Sequence, residues 1–131
     1  MCSMARMRSP PYAIITFATL AAVSILGGCN RPVSDGEQLR AIRAEAQMLM
    51  KKHAPTPPSR WKTIPKDQWP TAISKLHPEA VTVHLWGVDI MTKAYFDGGY
   101  GYAVPRSKAD LLMPAACYSE PSQGVFWHGP C

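Results

Sequence analysis

Residues 81–104, VTVHLWGVDIMTKAYFDGGYGYAV, decide the fold of this 131-residue chain. Apolar and polar residues alternate from Val81 to Leu85, which is typical of a strand with one buried face. Val88 to Phe96 predicts a second strand and Tyr100 to Val104 a third. Asp97-Gly98-Gly99 predicts a tight turn between them, because glycine adopts the positive φ that such hairpins require. The stretch therefore predicts an antiparallel meander.

Shorter elements are expected on both sides of the meander. Upstream, Asp67 caps a short helix that has Pro70 in its first turn and runs to Leu76. Downstream, Ser107 begins a capped turn. Val125 to His128 is short enough for a fourth strand, at the edge of the sheet.

A longer helix is expected nearer the N-terminus. Ser34 and Glu37 have the spacing of a capping box, and apolar residues then recur every three or four positions as far as His53. Residues 54–58 contain three prolines and end the helix. This helix either packs on the domain or acts as a spacer.

These elements together predict an α+β fold. The expected sheet is small and antiparallel, with three or four strands and one short helix packed on it, preceded by the amphipathic helix. Residues 60–131 form the expected domain, and residues 29–59 form a tether that contains the amphipathic helix and a proline-rich linker.

The first thirty residues have the composition of an export signal. Arg6 and Arg8 precede an apolar run from Ala13 to Leu26. The run is shorter than the 18 or more apolar residues expected of a spanning helix, although a retained N-terminal anchor is the alternative. Leu26-Gly27-Gly28-Cys29 resembles the lipobox of bacterial lipoproteins. The resemblance implies that residues 1–28 are a cleaved signal peptide and that Cys29 carries diacylglycerol. With Asn30 next, it also implies an outer-membrane anchor that faces the periplasm.

The expected compartment also indicates which cysteines can form a disulfide. Cys2 would leave with the signal and Cys29 would be acylated, so only Cys117 and Cys131 can pair. An oxidising periplasm favours a disulfide between them. Closing this loop of about 15 residues would stabilise the fold by about 3 kcal/mol in the chain-entropy model. A reactive or metal-binding thiol pair is the alternative, but the sequence has no CxxC spacing.

Charge limits the expected partners. The chain has 14 Lys and Arg against 9 Asp and Glu, a net charge of +5. Removing Arg6 and Arg8 with the signal leaves 12 against 9, or +3. The positive charges are spread along the chain and form no basic run, so nucleic acid is not an expected partner.

The sequence contains no motif that indicates catalysis or metal binding. HxH, HxxxH and GxSxG are absent, so we interpret His84 and His128 as isolated imidazoles. Met48, Met50 and His53 have side chains that suit copper, but only Met50 and His53 share a helical face. We therefore expect a non-enzymatic protein with no catalytic residues, no metal site and no small-molecule cofactor.

Aromatic residues supply the candidate binding surface. A small sheet buries one face, so some of its aromatic side chains should be exposed, and exposed Tyr and Trp are typical of recognition surfaces. The alternative is that the two helices cover both faces. The expected partner-binding residues are Trp86, Tyr95, Gly98, Gly99, Tyr100 and Tyr102.

These features favour a binding function. We expect a lipid-anchored, periplasm-facing module that contacts the membrane through Cys29 and binds an unknown protein, as an inhibitor or immunity protein does. The alternative is a structural envelope lipoprotein that docks to peptidoglycan or to an outer-membrane assembly. A small hydrolase or metal carrier is a third hypothesis.

Overall fold

The computed structural model describes residues 30–96 and 98–131, so the expected signal peptide, the lipobox with Cys29, and Asp97 lie outside the described residues. The fold is α+β, with one antiparallel sheet of six strands. The strands are β1 Trp61–Thr63, β2 Ala80–His84, β3 Gly87–Tyr95, β4 Gly98–Pro105, β5 Tyr118–Ser122 and β6 Val125–His128. The α-helices are α1 Gly36–Lys52 and α2 Thr71–Ser74, and single 3-10 turns span Lys66–Gln68, Lys108–Asp110 and Ala115–Cys117.

The sheet contains the predicted meander but is larger than predicted. Its strand order is β1-β2-β3-β4-β6-β5, in which β2, β3 and β4 are the three predicted strands. The expectation of three or four strands was too low because β1 and β5 were missed, and β6 lies inside the sheet, not at its edge. All three residues of β1 are exposed, and β5 contains Pro121, so neither shows the alternation that marks a half-buried strand.

Helix α1 begins one residue later than the sequence pattern suggested. Asp35, not Ser34, is its N-cap, and the Asp35 Oδ1 atom accepts hydrogen bonds from the backbone N–H of Glu37 at 2.9 Å and of Gln38 at 3.4 Å. Both residues can cap a helix, so composition alone did not separate them.

Helix α1 packs on the sheet and is not a spacer. The buried side chains on its apolar stripe are Leu39, Ile42, Ala46, Leu49 and Met50. They form one core cluster with β-strand residues such as Val83 and Ile90. The compact unit spans Pro32–Cys131 and includes α1.

The predicted helix from Asp67 to Leu76 is split into a 3-10 turn and the four-residue α2. Pro70 is the N-cap of α2 and provides no side-chain hydrogen bond. Glu45 of α1 takes this role, since its two carboxylate oxygens accept the N–H groups of Ala72 and Ile73, each at 2.9 Å. Asp67 lies in the 3-10 turn and does not cap α2.

The predicted disulfide between Cys117 and Cys131 is present, with 5.9 Å between the two Cα atoms. It joins the residue before β5 to the C-terminal end of the chain beyond β6. Among the described residues, neither α-helix is both long and apolar enough to cross a membrane.

Candidate binding surface on the open sheet face

The face of the sheet that points away from α1 is the candidate site, and we call it the open face. Core residues Val81, Val83, Val88 and Ile90 point toward α1, so residues at alternate positions point to the other side. The strand register places these open-face residues beside one another: Trp61, Thr82, His84, Asp89, Ala103, Phe126, His128 and Tyr118. The buried side chains of α1 and α2 belong to the core on the opposite side.

An acidic and a basic side chain meet at the centre of the open face. The Nε2 atom of His128 on β6 lies 3.4 Å from the Oδ1 atom of Asp89 on β3. The two strands are separated by β4, where Gly101 pairs with His128 and Ala103 pairs with Asp89. A Cβ atom at Gly101 would overlap the carbonyl oxygen of Ile90. Gly101 and Ala103 lie between the two partners and have little or no side chain, so Asp89 and His128 can approach each other across β4.

A strip of aromatic rings lies toward the β1 edge of the same face. Trp61 is directly opposite His84 in the register and is 58% exposed. The His84 ring stacks on Trp86 with 5.2 Å between ring centroids and 17° between ring planes. The Nε1 atom of Trp86 is buried and has no hydrogen-bond partner among the described residues.

Asp89 links this strip electrostatically to His128. Burial lowers the pKa of His84, because the charged imidazolium loses hydration, and the negative charge of Asp89 acts in the opposite direction. Asp89 thus interacts with an imidazole on each side, His84 on β2 and His128 on β6. These groups can donate and accept hydrogen bonds to a partner that covers the face.

The segment between β4 and β5 lies over the other end of the open face. It begins at the capped turn predicted from Ser107, where the Asp110 carboxylate accepts the Ser107 N–H at 3.1 Å. The Lys108 Nζ atom lies 5.7 Å from the centroid of the Phe126 ring and 3.6 Å from the Glu120 Oε2 atom. Phe126 is therefore 3% exposed even though its ring points away from the core under α1.

A pocket of about 180 Å³ opens between this segment and strands β5 and β6. Its lining residues are Lys108, Leu111, Met113, Ala115, Tyr118, Ser119, Glu120 and Phe126. The Tyr118 hydroxyl accepts the backbone N–H of Met113 at 3.4 Å, which joins the two walls. The pocket combines apolar and aromatic side chains with one ion pair, Lys108 with Glu120.

The expected partner-binding residues do not form one surface. Tyr95, Tyr100 and Tyr102 lie on the α1 side of the sheet, whereas Trp86 stacks on the open-face residue His84. Trp86 precedes β3 and Tyr95 ends it, which separates them by about 30 Å of extended chain.

Tyr102 in particular is a core residue and not a surface residue. It is 1% exposed, and its hydroxyl accepts the backbone N–H of Val33 at 2.7 Å. Burial raises the pKa of the Tyr102 phenol, and the hydrogen bond from Val33 acts in the opposite direction. Tyr100 is half-buried and Tyr95 is 45% exposed, while Gly98 is exposed and Gly99 is buried.

Several open-face residues were missed by the sequence analysis. Asp89 and His128 are 39 positions apart, and no local pattern joins them. Trp61 belongs to a strand of only three residues, so its alternation could not be recognised. The interpretation of His84 and His128 as isolated imidazoles is wrong, because His84 stacks on Trp86 and His128 lies 3.4 Å from Asp89.

The open face does not resemble a metal site. Within residues 30–96 and 98–131, no three His, Cys, Asp or Glu side chains are grouped so that they could hold a metal ion.

The chain matches no protein-family model, no curated protein and no solved structure.

Proposed function

We propose that this protein is a lipid-anchored, periplasm-facing module that binds another protein through the open face, in the manner of an inhibitor or immunity protein. The observation that carries the proposal is the 180 Å³ pocket, which opens on a sheet face that α1 and α2 leave uncovered. The anchoring half of the proposal comes from the lipobox-like sequence that ends at Cys29.

The open face has the dimensions of a protein interface. Six strands spaced about 4.8 Å apart give a width of about 24 Å. The segment between β4 and β5 lies over Phe126 at one end, so a partner would meet the exposed strip near β1 and this segment. Trp61 and Trp86 supply residue types that often dominate binding energy. The pocket beside Phe126 can accept one side chain of the partner, since apolar walls surround it.

Polar groups on the open face can fix the orientation of a partner. Asp89 and His128 lie at its centre, and Lys108 and Glu120 lie at the rim of the pocket. The ion pair of Lys108 and Glu120 carries charges of both signs, which favour complementary contacts and exclude partners whose charges repel them. We assign these groups to binding and not to catalysis.

The test compares two exposed side chains on opposite sides of the molecule. Trp61→Ala removes a ring from the open face, and Met48→Ala removes a side chain that is 57% exposed on α1. The acylated variants are purified from the native envelope, the co-purified protein is identified, and its enzymatic activity is measured with and without added protein. We expect Trp61→Ala to weaken partner binding by at least about tenfold and Met48→Ala to leave it unchanged.

Three results would contradict the proposal. Equal partner affinity in the two variants would remove the open face from the interface. A captured protein whose activity is unaffected would exclude an inhibitor. Recovery of peptidoglycan or an outer-membrane assembly in place of a separate enzyme would favour the structural alternative.

A further inference from the structure

The tip of the hairpin between β3 and β4 carries an unusually exposed aromatic side chain. Pairing in this hairpin ends at Tyr95 and Gly98. Phe96 follows Tyr95 and has a relative exposure of 109%, and Tyr95 itself is 45% exposed. A phenylalanine this exposed contributes almost no burial to the fold, and its ring is available to a ligand outside the chain.

The base of this tip is held by ring contacts. Tyr95 meets Tyr100 edge to face with 5.6 Å between ring centroids, and Tyr100 stacks on Trp127 at 6.0 Å. The Lys93 Nζ atom lies 5.5 Å from the centroid of the Tyr95 ring. The tip therefore presents Phe96 on a packed aromatic base with a cation beside it.

The same series of rings leads to the start of the folded unit. Trp127 contacts Tyr102 at 4.9 Å, and the Tyr102 hydroxyl holds the N–H of Val33 at 2.7 Å. Only Asn30, Arg31 and Pro32 separate Val33 from Cys29. Because an extended chain spans at most about 3.6 Å per residue, a lipid on Cys29 would keep Val33 within about 15 Å of the bilayer.

We propose that the hairpin tip, formed by Lys93, Tyr95 and Phe96, docks on the lipid bilayer that holds the Cys29 anchor. The proposal rests on the anchoring proposed above. Phe96 enters the boundary between headgroups and acyl chains, Tyr95 lies at headgroup level, and the Lys93 ammonium faces the lipid phosphates. The contact orients the domain and leaves the open face to the protein partner, since Lys93 and Tyr95 lie on the α1 side of the sheet.

The test uses tryptophan as a depth reporter in the full acylated protein. Phe96→Trp places the reporter at the tip. Leu85→Trp is the matched control, because Leu85 is 51% exposed and follows β2 at the opposite end of β3. Each protein is reconstituted in vesicles of phosphatidylethanolamine and phosphatidylglycerol, with and without bromine on the acyl chains, and the fluorescence of the wild-type protein is subtracted. We expect brominated lipid to quench the tryptophan at position 96 about threefold more than the tryptophan at position 85. Bromine quenches fluorescence only at short range, and the apolar face of a docked segment lies about 5–10 Å into the membrane interface.

The outcomes separate this surface from the anchor and from the protein-binding function. If the protein is bound to vesicles but quenching is equal at the two positions, the proposed contact of the hairpin tip with the bilayer is wrong and the lipid anchor on Cys29 remains supported. Protein that does not float with vesicles overturns both. Loss of the protein partner in Phe96→Ser, together with equal quenching, would assign the tip to the partner instead of the bilayer.

Discussion

At the scale of single residues, Glu45 caps the start of α2 from a neighbouring helix. The helix has four residues and a proline at its N-cap, so it is too short to be stable alone and has no acceptor of its own for its first N–H groups. The Glu45 carboxylate supplies both acceptors from α1. One side chain thus joins the two helices and places Ala72 and Ile73 in the core.

Replacing Glu45 should destabilise the protein through α2. We expect Glu45→Ala to lower the free energy of unfolding by about 1–3 kcal/mol, because two N–H groups lose their acceptors. Gln47→Ala, at an exposed position of the same helix, serves as the control and should change stability little. Urea denaturation of the two variants measures the difference, and equal midpoints would exclude the capping role.

His53 is a second residue whose environment has a measurable consequence. It follows α1, is 7% exposed, and its Nε2 atom has no hydrogen-bond partner in the described part of the chain. Burial lowers the pKa of His53 below its ordinary value of 6.5, and the positive charges of Lys62 and Lys52 lower it further. Folding therefore favours the neutral imidazole.

The lowered pKa predicts that the protein is less stable in mild acid. Between the folded and the unfolded pKa of His53, the unfolded chain binds more protons than the folded chain. The contribution of neutral His53 to the free energy of unfolding is therefore full above pH 6.5 and is lost as the pH falls below that value. Burial of His84 acts in the same direction. Urea denaturation should give a lower free energy of unfolding at about pH 5.5 than at about pH 7.5. His53→Leu should reduce this difference, and an unchanged difference would show that His53 is not responsible.

At the scale of elements, the disulfide holds the β5 edge of the sheet. Strand β5 is the edge strand beside β6, and its pairing is interrupted between Ser119 and Ser122. The bridge from Cys117 to Cys131 ties the start of β5 to the chain beyond β6. The covalent link thus supports the part of the sheet that also forms one wall of the pocket.

Removing the disulfide should weaken the whole fold. Cys117→Ala with Cys131→Ala should lower the free energy of unfolding by about 3 kcal/mol, because the unfolded chain is no longer constrained by the closed loop. Urea denaturation under non-reducing conditions tests this. The same experiment on the wild-type protein with a reductant should reproduce the loss, and an unchanged midpoint in both cases would contradict the prediction.

At the scale of the whole molecule, the proposed function depends on Cys29. Changing Cys29→Ser removes the thiol that would be acylated. We expect the variant to leave the membrane fraction while the wild-type protein stays in it. Intact-mass measurement of the wild-type protein should show a chain that begins at residue 29 and carries lipid. An unmodified full-length chain in the cytosol would contradict the lipobox interpretation.

The sequence by itself determined the centre of the sheet and the long helix. The alternation from Val81 to Leu85 and the apolar stripe of α1 are local patterns, and each has a local physical cause in pleat or helical period. The turn after Phe96 was placed too far along the chain, because Gly98 and Gly99 already pair with Tyr95 and Ala94 as the first residues of β4. The disulfide was also predictable, because the interpretation of the first thirty residues left only Cys117 and Cys131 to pair.

Tertiary structure alone decided which residues share a surface. Asp89 and His128 meet because β6 pairs with β4 and not with a neighbour in sequence. Tyr102 is buried because its position in β4 points toward α1. The physical reason is that the packing of α1 selects one face of the sheet as the core. The pattern of a single strand shows that one of its faces is buried. It does not show which aromatic residues of distant strands lie on that buried face.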